Sequence, residues 1–325
     1  MAKSKKALLV IFIVLGVPSG CGYTEVAVPA TGNPFAVVSH AKEPVLSYID
    51  LETYEVIGSE KLNQSFTYMA KLDESTILAT NQLEEELYLF DLEAHAIRPF
   101  SEIGQGLTKI VVSEQQKRVF VSDTQQNAVQ VVDGKTGTIT KSISIGAYPS
   151  DLVIDEEGQQ VFVLSTQSNE VAIIDLINLT ILSRFPVEEN AAGLLFDGQH
   201  LWIGGHGKVG ELNREVSVYD PESGKQIKQV KAGLMPVAIE ADEKNEHLFF
   251  LSHGDHTLKK YSLDRGEVIS TIEVGQNPNY MMMQDDKLFI TNLDSDSVSV
   301  VDASTMKLEK EIDVSKGPYA IMSQF

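Results

Sequence analysis

The densest cluster of potentially reactive side chains is the run His253-Gly254-Asp255-His256. Imidazole and carboxylate groups suit zinc, copper or iron. A metal site needs ligands that converge on one point, and neighbouring residues of a single turn rarely do so. We therefore interpret this run as polar turn chemistry and expect no metal site and no cofactor.

The sequence contains no recognisable set of residues for nucleophilic catalysis. There is no Gly-x-Ser-x-Gly motif, and the only cysteine, Cys21, lies near the N-terminus. A lactonase-type hydrolase would need acidic groups and histidines that converge. Asp151, Lys109 and His253 are the residues that could meet in this way, if the fold brings them together.

The elements that must position these residues are short β-strands. In the segment from Gly275 to Val314, four apolar runs of strand length are separated by polar turn residues. The pattern of Val298-Ser299-Val300 alternates with the two-residue period of a strand. The segment is therefore predicted to be a four-stranded meander.

The meander recurs along the chain. An apolar run ending in aspartate marks each copy, and the copies are separated by 38 to 45 residues, at Asp50, Asp91, Asp133, Asp175, Asp220, Asp264 and Asp302. Seven copies of this length predict an all-β protein, a seven-bladed β-propeller of four-stranded antiparallel blades. We expect these aspartates to bind turn amides after the third strand of each blade rather than to form a functional ring.

A second recurring element is Gly-x-x-Pro, as in Gly146 to Pro149, Gly233 to Pro236 and Gly275 to Pro278. Glycine permits a tight turn from the outer strand of one blade to the inner strand of the next, and proline begins a strand where no amide donor is needed. These turns lie on the same face of the predicted propeller as the turns between strands two and three of each blade.

A third recurring element precedes the second turn of each copy, as in Val119-Phe120-Val121-Ser122-Asp123 and Leu288-Phe289-Ile290-Thr291-Asn292. With these runs, residues 34–325 resemble the YVTN-repeat β-propellers, a family of bacterial and archaeal surface and exported proteins. The resemblance implies a seven-bladed ring and export. Related seven-bladed folds include lactonases and the haem d1 domain of nitrite reductase, so the fold alone does not decide the function.

The two ends of the repeat array predict how the ring closes. Aligned on the aspartates, residues 36–40 match a second strand, so the first copy lacks its inner strand. Residues 316–323 match an inner strand with no blade after it. The C-terminal strand is therefore expected to complete blade one and to remove two exposed sheet edges.

The N-terminus predicts export. Residues 1–21 combine a basic start at Lys3, Lys5 and Lys6 with an apolar stretch too short to span a bilayer. The sequence ending in Cys21 resembles a bacterial lipobox, which implies lipidation of Cys21; an ordinary secretory signal is the alternative. Residues 22–33 are interpreted as a tether, followed by the propeller over 34–325.

The charge of the chain limits its partners. The formal net charge is −20, and no basic cluster follows the first six residues. Nucleic acid and anionic membrane surfaces both require basic patches, so neither is an expected partner of the folded part. We expect a monomer that meets the membrane only through its lipid anchor.

The candidate binding residues lie on the loop face and at the mouth of the central channel, because loops vary while strands hold them rigidly. They are Tyr68, Lys109, Asp151, His206, His253, His256, Tyr280 and Tyr319. A Gly-rich insertion, residues 204–215, interrupts blade five. It lacks phosphate-loop spacing and is interpreted as either a partner-contacting loop or a tolerated surface insertion.

These features favour a binding or scaffold module at the cell surface, for a protein or small ligand that the sequence does not identify. One alternative is a lactonase-like hydrolase with its site at the channel mouth. A second is a redox accessory protein of the haem-d1 type.

Overall fold

The computed structural model describes residues 24–323, which form 29 β-strands in seven sheets. The inner strands of the blades are β5 (Tyr68–Lys71), β9 (Leu107–Ser113), β13 (Pro149–Asp155), β17 (Ala191–Phe196), β21 (Pro236–Ala241), β25 (Pro278–Gln284) and β29 (Pro318–Ser323). The second strands are β2 (Phe35–His40), β6 (Thr76–Thr80), β10 (Arg118–Asp123), β14 (Gln160–Ser165), β18 (Leu201–Gly205), β22 (His247–Ser252) and β26 (Lys287–Asn292).

The third strands are β3 (Val45–Asp50), β7 (Glu86–Asp91), β11 (Ala128–Asp133), β15 (Glu170–Asp175), β19 (Glu215–Asp220), β23 (Thr257–Ser262) and β27 (Ser297–Asp302). The outer strands are β4 (Val56–Lys61), β8 (Ala96–Glu102), β12 (Ile139–Ser144), β16 (Ile181–Pro186), β20 (Lys225–Lys231), β24 (Glu267–Glu273) and β28 (Lys307–Asp313). One further strand, β1 (Thr24–Glu25), precedes them all.

The sheets form a closed seven-bladed propeller. Consecutive strands within each blade pair antiparallel, and each inner strand contacts the inner strands of the two neighbouring blades. Within residues 24–323 the structure contains no helix with the length and apolar character that crossing a membrane requires. The predicted fold class and blade number are confirmed.

The ring closes as the sequence predicts. The C-terminal strand β29 pairs with β2, with Ile321 opposite Val38 and Pro318 opposite His40. Blade one therefore has the order β29-β2-β3-β4, and the two ends of the repeat array share one sheet.

The core lies between the blades. Every residue of β2 and β3 is buried, whereas nearly all of the outer strand β20 is exposed. Apolar clusters pack successive blades face to face; one of them joins Phe289 of blade seven to Ile49 of blade one. The backbones of the inner strands, which carry the side chains at the channel mouth, sit on this packed scaffold.

The register aspartates bind turn amides, as expected. The carboxylate of Asp50 accepts hydrogen bonds from the amides of Glu52 and Thr53, at 2.9 and 2.8 Å. Blade six departs from the predicted register. Its third strand ends at Ser262, not at Asp264, and the Ser262 hydroxyl accepts the turn amide of Arg265 at 3.2 Å.

The Gly-x-x-Pro turns use their glycines in two ways. Gly233 has a left-handed φ of 109°, as the prediction requires, whereas in the turns at Gly146 and Gly275 the left-handed residue is the one before proline, with φ of 58° at Tyr148 and 55° at Asn277. Gly275 has an ordinary φ, but a Cβ there would lie 2.4 Å from Cγ of Asn292. Glycine is required at position 275 because of this close packing, and not because of the backbone conformation of the turn.

Part of the predicted tether contacts the propeller within residues 24–33, whereas residues 1–23, with the predicted signal peptide and Cys21, lie outside the described residues. β1 pairs with the outer strand β8 of blade two, with Thr24 opposite Ile97. Val26 is 4% exposed and its amide donates to the carbonyl of His95 at 2.9 Å. Apolar burial and strand pairing thus hold this segment on the rim of blade two.

Candidate functional site

The residues at one equivalent position of the seven inner strands determine the shape of the channel mouth. This position is occupied, from blade two round to blade one, by Tyr68, Lys109, Asp151, Gly193, Ala238, Tyr280 and Ala320. Large or charged side chains occupy this position in blades two, three, four and seven. The small residues in blades five, six and one leave room beside them.

A cavity of about 270 Å³ occupies this room. Seven of the eight residues predicted from the sequence line it, namely Tyr68, Lys109, Asp151, His206, His253, Tyr280 and Tyr319. We call this cavity the mouth pocket. The side chains of all seven blades thus converge on one small space.

Gly193 keeps one wall of the mouth pocket open. Its φ is 70°, and a Cβ at this position would lie 2.6 Å from the carbonyl oxygen of Val237 in the next blade. No side chain fits there without displacing backbone. The opening over blade five therefore depends on close packing of two inner strands.

Lys109 and Asp151 form an ion pair in the wall of the mouth pocket, with Nζ 3.4 Å from Oδ1. The Asp151 carboxylate also accepts the amides of Leu194, at 3.0 Å, and Leu152, at 2.9 Å. The Lys109 ammonium lies 5.7 Å from the centre of the Tyr280 ring. Asp151 raises the pKa of Lys109, against the opposing effect of burial, so this lysine stays charged.

Glu240, on β21, is the charged lining residue that the sequence interpretation missed. The carboxylate is partly buried and meets the backbone amide of Ala241, but no side chain among residues 24–323 forms a hydrogen bond or an ion pair with it. Burial raises the pKa of Glu240 to about 7, although Lys109 nearby acts to lower it. An alignment of the seven inner strands could have identified Glu240, because it is the one charged residue at its position. The equivalent residues of the other blades are apolar: Ala70, Val111, Val153, Leu195, Met282 and Met322.

The raised pKa of Glu240 predicts a pH-dependent effect of Glu240→Gln. The folded protein holds this proton more tightly than the unfolded chain, so the stabilisation is complete below about pH 4.5 and is lost as pH rises through 7. Glutamine stays neutral. We expect Glu240→Gln to stabilise the protein by about 2–3 kcal/mol more at pH 8 than at pH 4.5.

Urea unfolding of the wild type and of Glu240→Gln at the two pH values measures this difference. Glu273→Gln, on the exposed outer strand β24, is the matched control and should show no such pH dependence. An equal effect of Glu240→Gln at both pH values would contradict the assignment.

Three tyrosines supply ring faces and hydroxyl groups to the mouth pocket. The rings of Tyr68 and Tyr319 meet edge to face, 5.9 Å apart. Burial is the main cause that raises the pKa of Tyr68 and of Tyr280. Both hydroxyls are therefore neutral near pH 7 and can donate a hydrogen bond to a ligand.

His206 and His253 form the upper edge of the mouth pocket, with ring centres 5.7 Å apart. Burial lowers the pKa of both, so they are neutral near pH 7. Nδ1 of His253 is buried and has no hydrogen-bond partner. Within residues 24–323, no group of three or more histidine, cysteine or acidic residues is placed to hold a metal ion.

His256 is the predicted residue that does not line the mouth pocket. It has a left-handed backbone, with φ of 54°, and its Nδ1 accepts the amide of Asn277 at 3.2 Å. This imidazole is used in the turn that joins blades six and seven.

The blade-five insertion is anchored at its base. The side-chain amide of Asn213 donates to the carbonyls of Gly205 and Glu215, at 3.2 and 2.8 Å. At its tip, Val209 is 97% exposed. The insertion borders a second, larger groove of about 660 Å³, which is lined by many charged residues of both signs. We call it the insertion groove.

Comparison with solved structures finds the same fold in proteins of very different sequence. AztD from Citrobacter koseri has a TM-score of 0.62 and 12% identity over 89% of this chain and 97% of its own. The dihydro-heme d1 dehydrogenase NirN, in complex with DHE, has a TM-score of 0.64 and 11% identity over 93% and 79%. A putative 6-phosphogluconolactonase from Bacteroides uniformis has a TM-score of 0.69 and 13% identity over 90% and 99%. At these identities the likeness concerns the fold alone.

In sequence, no curated protein matches this chain. The family profile of the YNCE-like beta-propellers matches residues 64–324, which include all of blades two to seven and the closing strand β29. The chain therefore belongs to the YNCE-like β-propeller family.

Proposed function

We propose that this protein is a ligand-binding propeller whose site is the mouth pocket and whose ligand is a small molecule. The observation that carries the proposal is the convergence of charged, aromatic and imidazole side chains on one cavity of about 270 Å³. Small-molecule sites combine mostly apolar walls with a few placed polar groups. The mouth pocket has this composition: Val237, Ile239 and Met281 line it beside Lys109 and Glu240.

The location of the mouth pocket supports the same proposal. Rigid inner strands carry its charged residues, and a fixed site loses little conformational entropy when a ligand binds. The Lys109–Asp151 pair and the Leu194 amide connect three blades, which keeps the charged groups in place in the absence of ligand.

A variant that fills the mouth pocket tests the proposal. Ala238→Tyr places tyrosine at the register position that already carries Tyr68 and Tyr280, so the inner strand accommodates it and the cavity is filled. Saturation-transfer NMR with a library of small polar fragments should detect binding to the wild type. We expect Ala238→Tyr to weaken the binding of these fragments at least tenfold.

Ala94→Tyr adds the same side chain at an exposed turn of blade two and should leave fragment binding unchanged. Fragments that bind equally well to Ala238→Tyr would show that the mouth pocket is not the site.

Hydrolysis of a small lactone is the second candidate function. Glu240, with a pKa of about 7, suits a general base that takes a proton from water, and the Lys109 ammonium can stabilise the developing oxyanion. Water would add to the carbonyl carbon as Glu240 takes its proton, the ring C–O bond would break, the ring oxygen would take that proton from Glu240, and the hydroxy acid would leave. If lactones are among the fragments, the same NMR spectra would reveal the hydroxy acid, and Glu240→Gln should abolish its formation.

The haem-d1 alternative receives no support from the mouth pocket. Its volume of about 270 Å³ lies below the range of about 300–1,000 Å³ that is usual for pockets holding drug-sized ligands. A tetrapyrrole would not fit without movement of the inner strands.

The proposed site of action is the outer face of the cell membrane, with lipid on Cys21 as the anchor. The support is the lipobox-like end of residues 1–21. In a bacterial expression host, Cys21→Ala should abolish incorporation of a radioactive fatty acid and release the protein or leave a precursor. Unchanged labelling of Cys21→Ala would contradict the anchor.

A further inference from the structure

We propose that the ligand of the mouth pocket is a small cation, such as a primary amine in its ammonium form, held by Glu240 and the tyrosine rings. This inference rests on the proposed function and specifies the chemistry of its ligand. It follows from the balance of charges in the mouth pocket.

Glu240 is the charged group of the mouth pocket that lacks an ion-pair partner among residues 24–323. Lys109 and Asp151 neutralise each other at 3.4 Å, and two backbone amides fix the aspartate. The Glu240 carboxylate meets the backbone amide of Ala241, but no side chain among residues 24–323 forms a hydrogen bond or an ion pair with it. When Glu240 ionises, the pocket therefore carries a net negative charge that a cationic ligand can neutralise.

The aromatic side chains suit the same ligand. A cation near the face of an aromatic ring is stabilised by about 0.5–2 kcal/mol. Lys109 shows this arrangement within the pocket, since its ammonium lies 5.7 Å from the centre of the Tyr280 ring. Tyr68 and Tyr319 line the pocket as well, and neither ring has a cation of the described residues over its face.

The histidines and the overall charge agree with this chemistry. His206 and His253 are neutral near pH 7, and the unpartnered buried Nδ1 of His253 can accept a hydrogen bond if the proton is on Nε2. The net charge of −20 attracts cations and repels anions over the whole surface.

The pH dependence of binding follows from the groups that face Glu240. They are Lys109 and Asp151 from blades three and four, Tyr68, Tyr280 and Tyr319 from blades two, seven and one, and His206 and His253 from the loops above. Lys109 stays charged and the tyrosines Tyr68 and Tyr280 stay neutral between pH 6 and 8, and burial lowers the pKa of both histidines, which favours their neutral form. With a pKa of about 7, Glu240 changes from mostly protonated to mostly ionised in that range.

Three probes of nearly the same size and shape test the inference: n-butylammonium, n-butanol and butyrate. Titrations followed by saturation-transfer NMR give the affinity of each for the wild type, Glu240→Gln and Ala238→Tyr, with thermal melting to verify that the variants fold. We expect n-butylammonium to bind the wild type most tightly, and about tenfold more tightly at pH 8 than at pH 6. Glu240→Gln should lose this pH dependence and bind the amine at least tenfold more weakly at pH 8.

The outcomes test the chemical class of the ligand and the location of the binding site separately. If n-butanol or butyrate binds as tightly as the amine, and Ala238→Tyr abolishes that binding, the cation inference is overturned and the mouth pocket remains the site. If Ala238→Tyr weakens none of the probes, both the inference and the proposed function fail.

Discussion

Truncation of the chain after Lys316 is expected to unfold or aggregate the propeller. The truncation removes β29, in which Ile321 is 0% and Ala320 1% exposed, and leaves the edge of β2 without a partner. Burying one large apolar side chain contributes about 1.5–3 kcal/mol, and the net stability of a domain is only about 5–15 kcal/mol. Loss of the strand also opens the cycle of inner strands, since β29 contacts both β25 and β5.

Thermal melting followed by circular dichroism measures the effect. A synthetic peptide of residues 316–325 should restore a cooperative transition when added in excess, because it supplies the missing strand. A truncated protein that melts within about 2 °C of the wild type, a shift worth less than about 1 kcal/mol, would contradict ring closure by β29.

Val26→Asp is expected to be the most disruptive single substitution in the segment before blade one. Val26 is 4% exposed and packs in the cluster that includes Phe66 and Ile97, between blades one and two. The substitution removes apolar burial and places a carboxylate in an apolar site, at a cost of at least about 3 kcal/mol.

Ala27→Asp is the matched control, because the neighbouring residue is exposed and the added charge is the same. Urea unfolding of the two variants should show a large loss of stability for Val26→Asp and a change within about 0.5 kcal/mol for Ala27→Asp. Equal stabilities would indicate that residues 24–33 do not contribute to the fold.

The blade number and the ring closure could be predicted because the same pattern recurs seven times. One copy alone leaves its secondary structure ambiguous, and the set of copies does not. A single apolar run such as Val298–Val301 does not distinguish a strand from part of a buried helix. Seven copies of similar length, with a missing inner strand at one end and an additional one at the other, leave one arrangement. The same logic failed locally at Asp264, where the neighbouring Ser262 takes the structural role.

The packing of residues 24–33 could not be predicted, because this segment has no counterpart in the repeats. Its one strand, β1, is two residues long, and a single buried valine has no periodicity to reveal it. The contact with β8 is a tertiary interaction between a non-repeating segment and the edge of blade two.

Seven residues of the mouth pocket could be predicted, because the turn geometry of a blade fixes which residues reach the channel. The position of the cavity was not, since it depends on Gly193 and Ala238 being small and on their backbones packing closely. Glu240 was overlooked because it follows the predicted turn residues by several positions, although a comparison of the seven inner strands shows it as a charge among apolar residues.

The most direct test of the mouth pocket as the functional site is a crystal structure of the protein soaked at pH 8 with a panel of small amines. The larger insertion groove serves as an internal competitor in the same crystals. We predict ligand density in the mouth pocket, with the amine nitrogen beside Glu240 and the rings of Tyr68 and Tyr319. Density in the insertion groove with an empty mouth pocket would contradict the account.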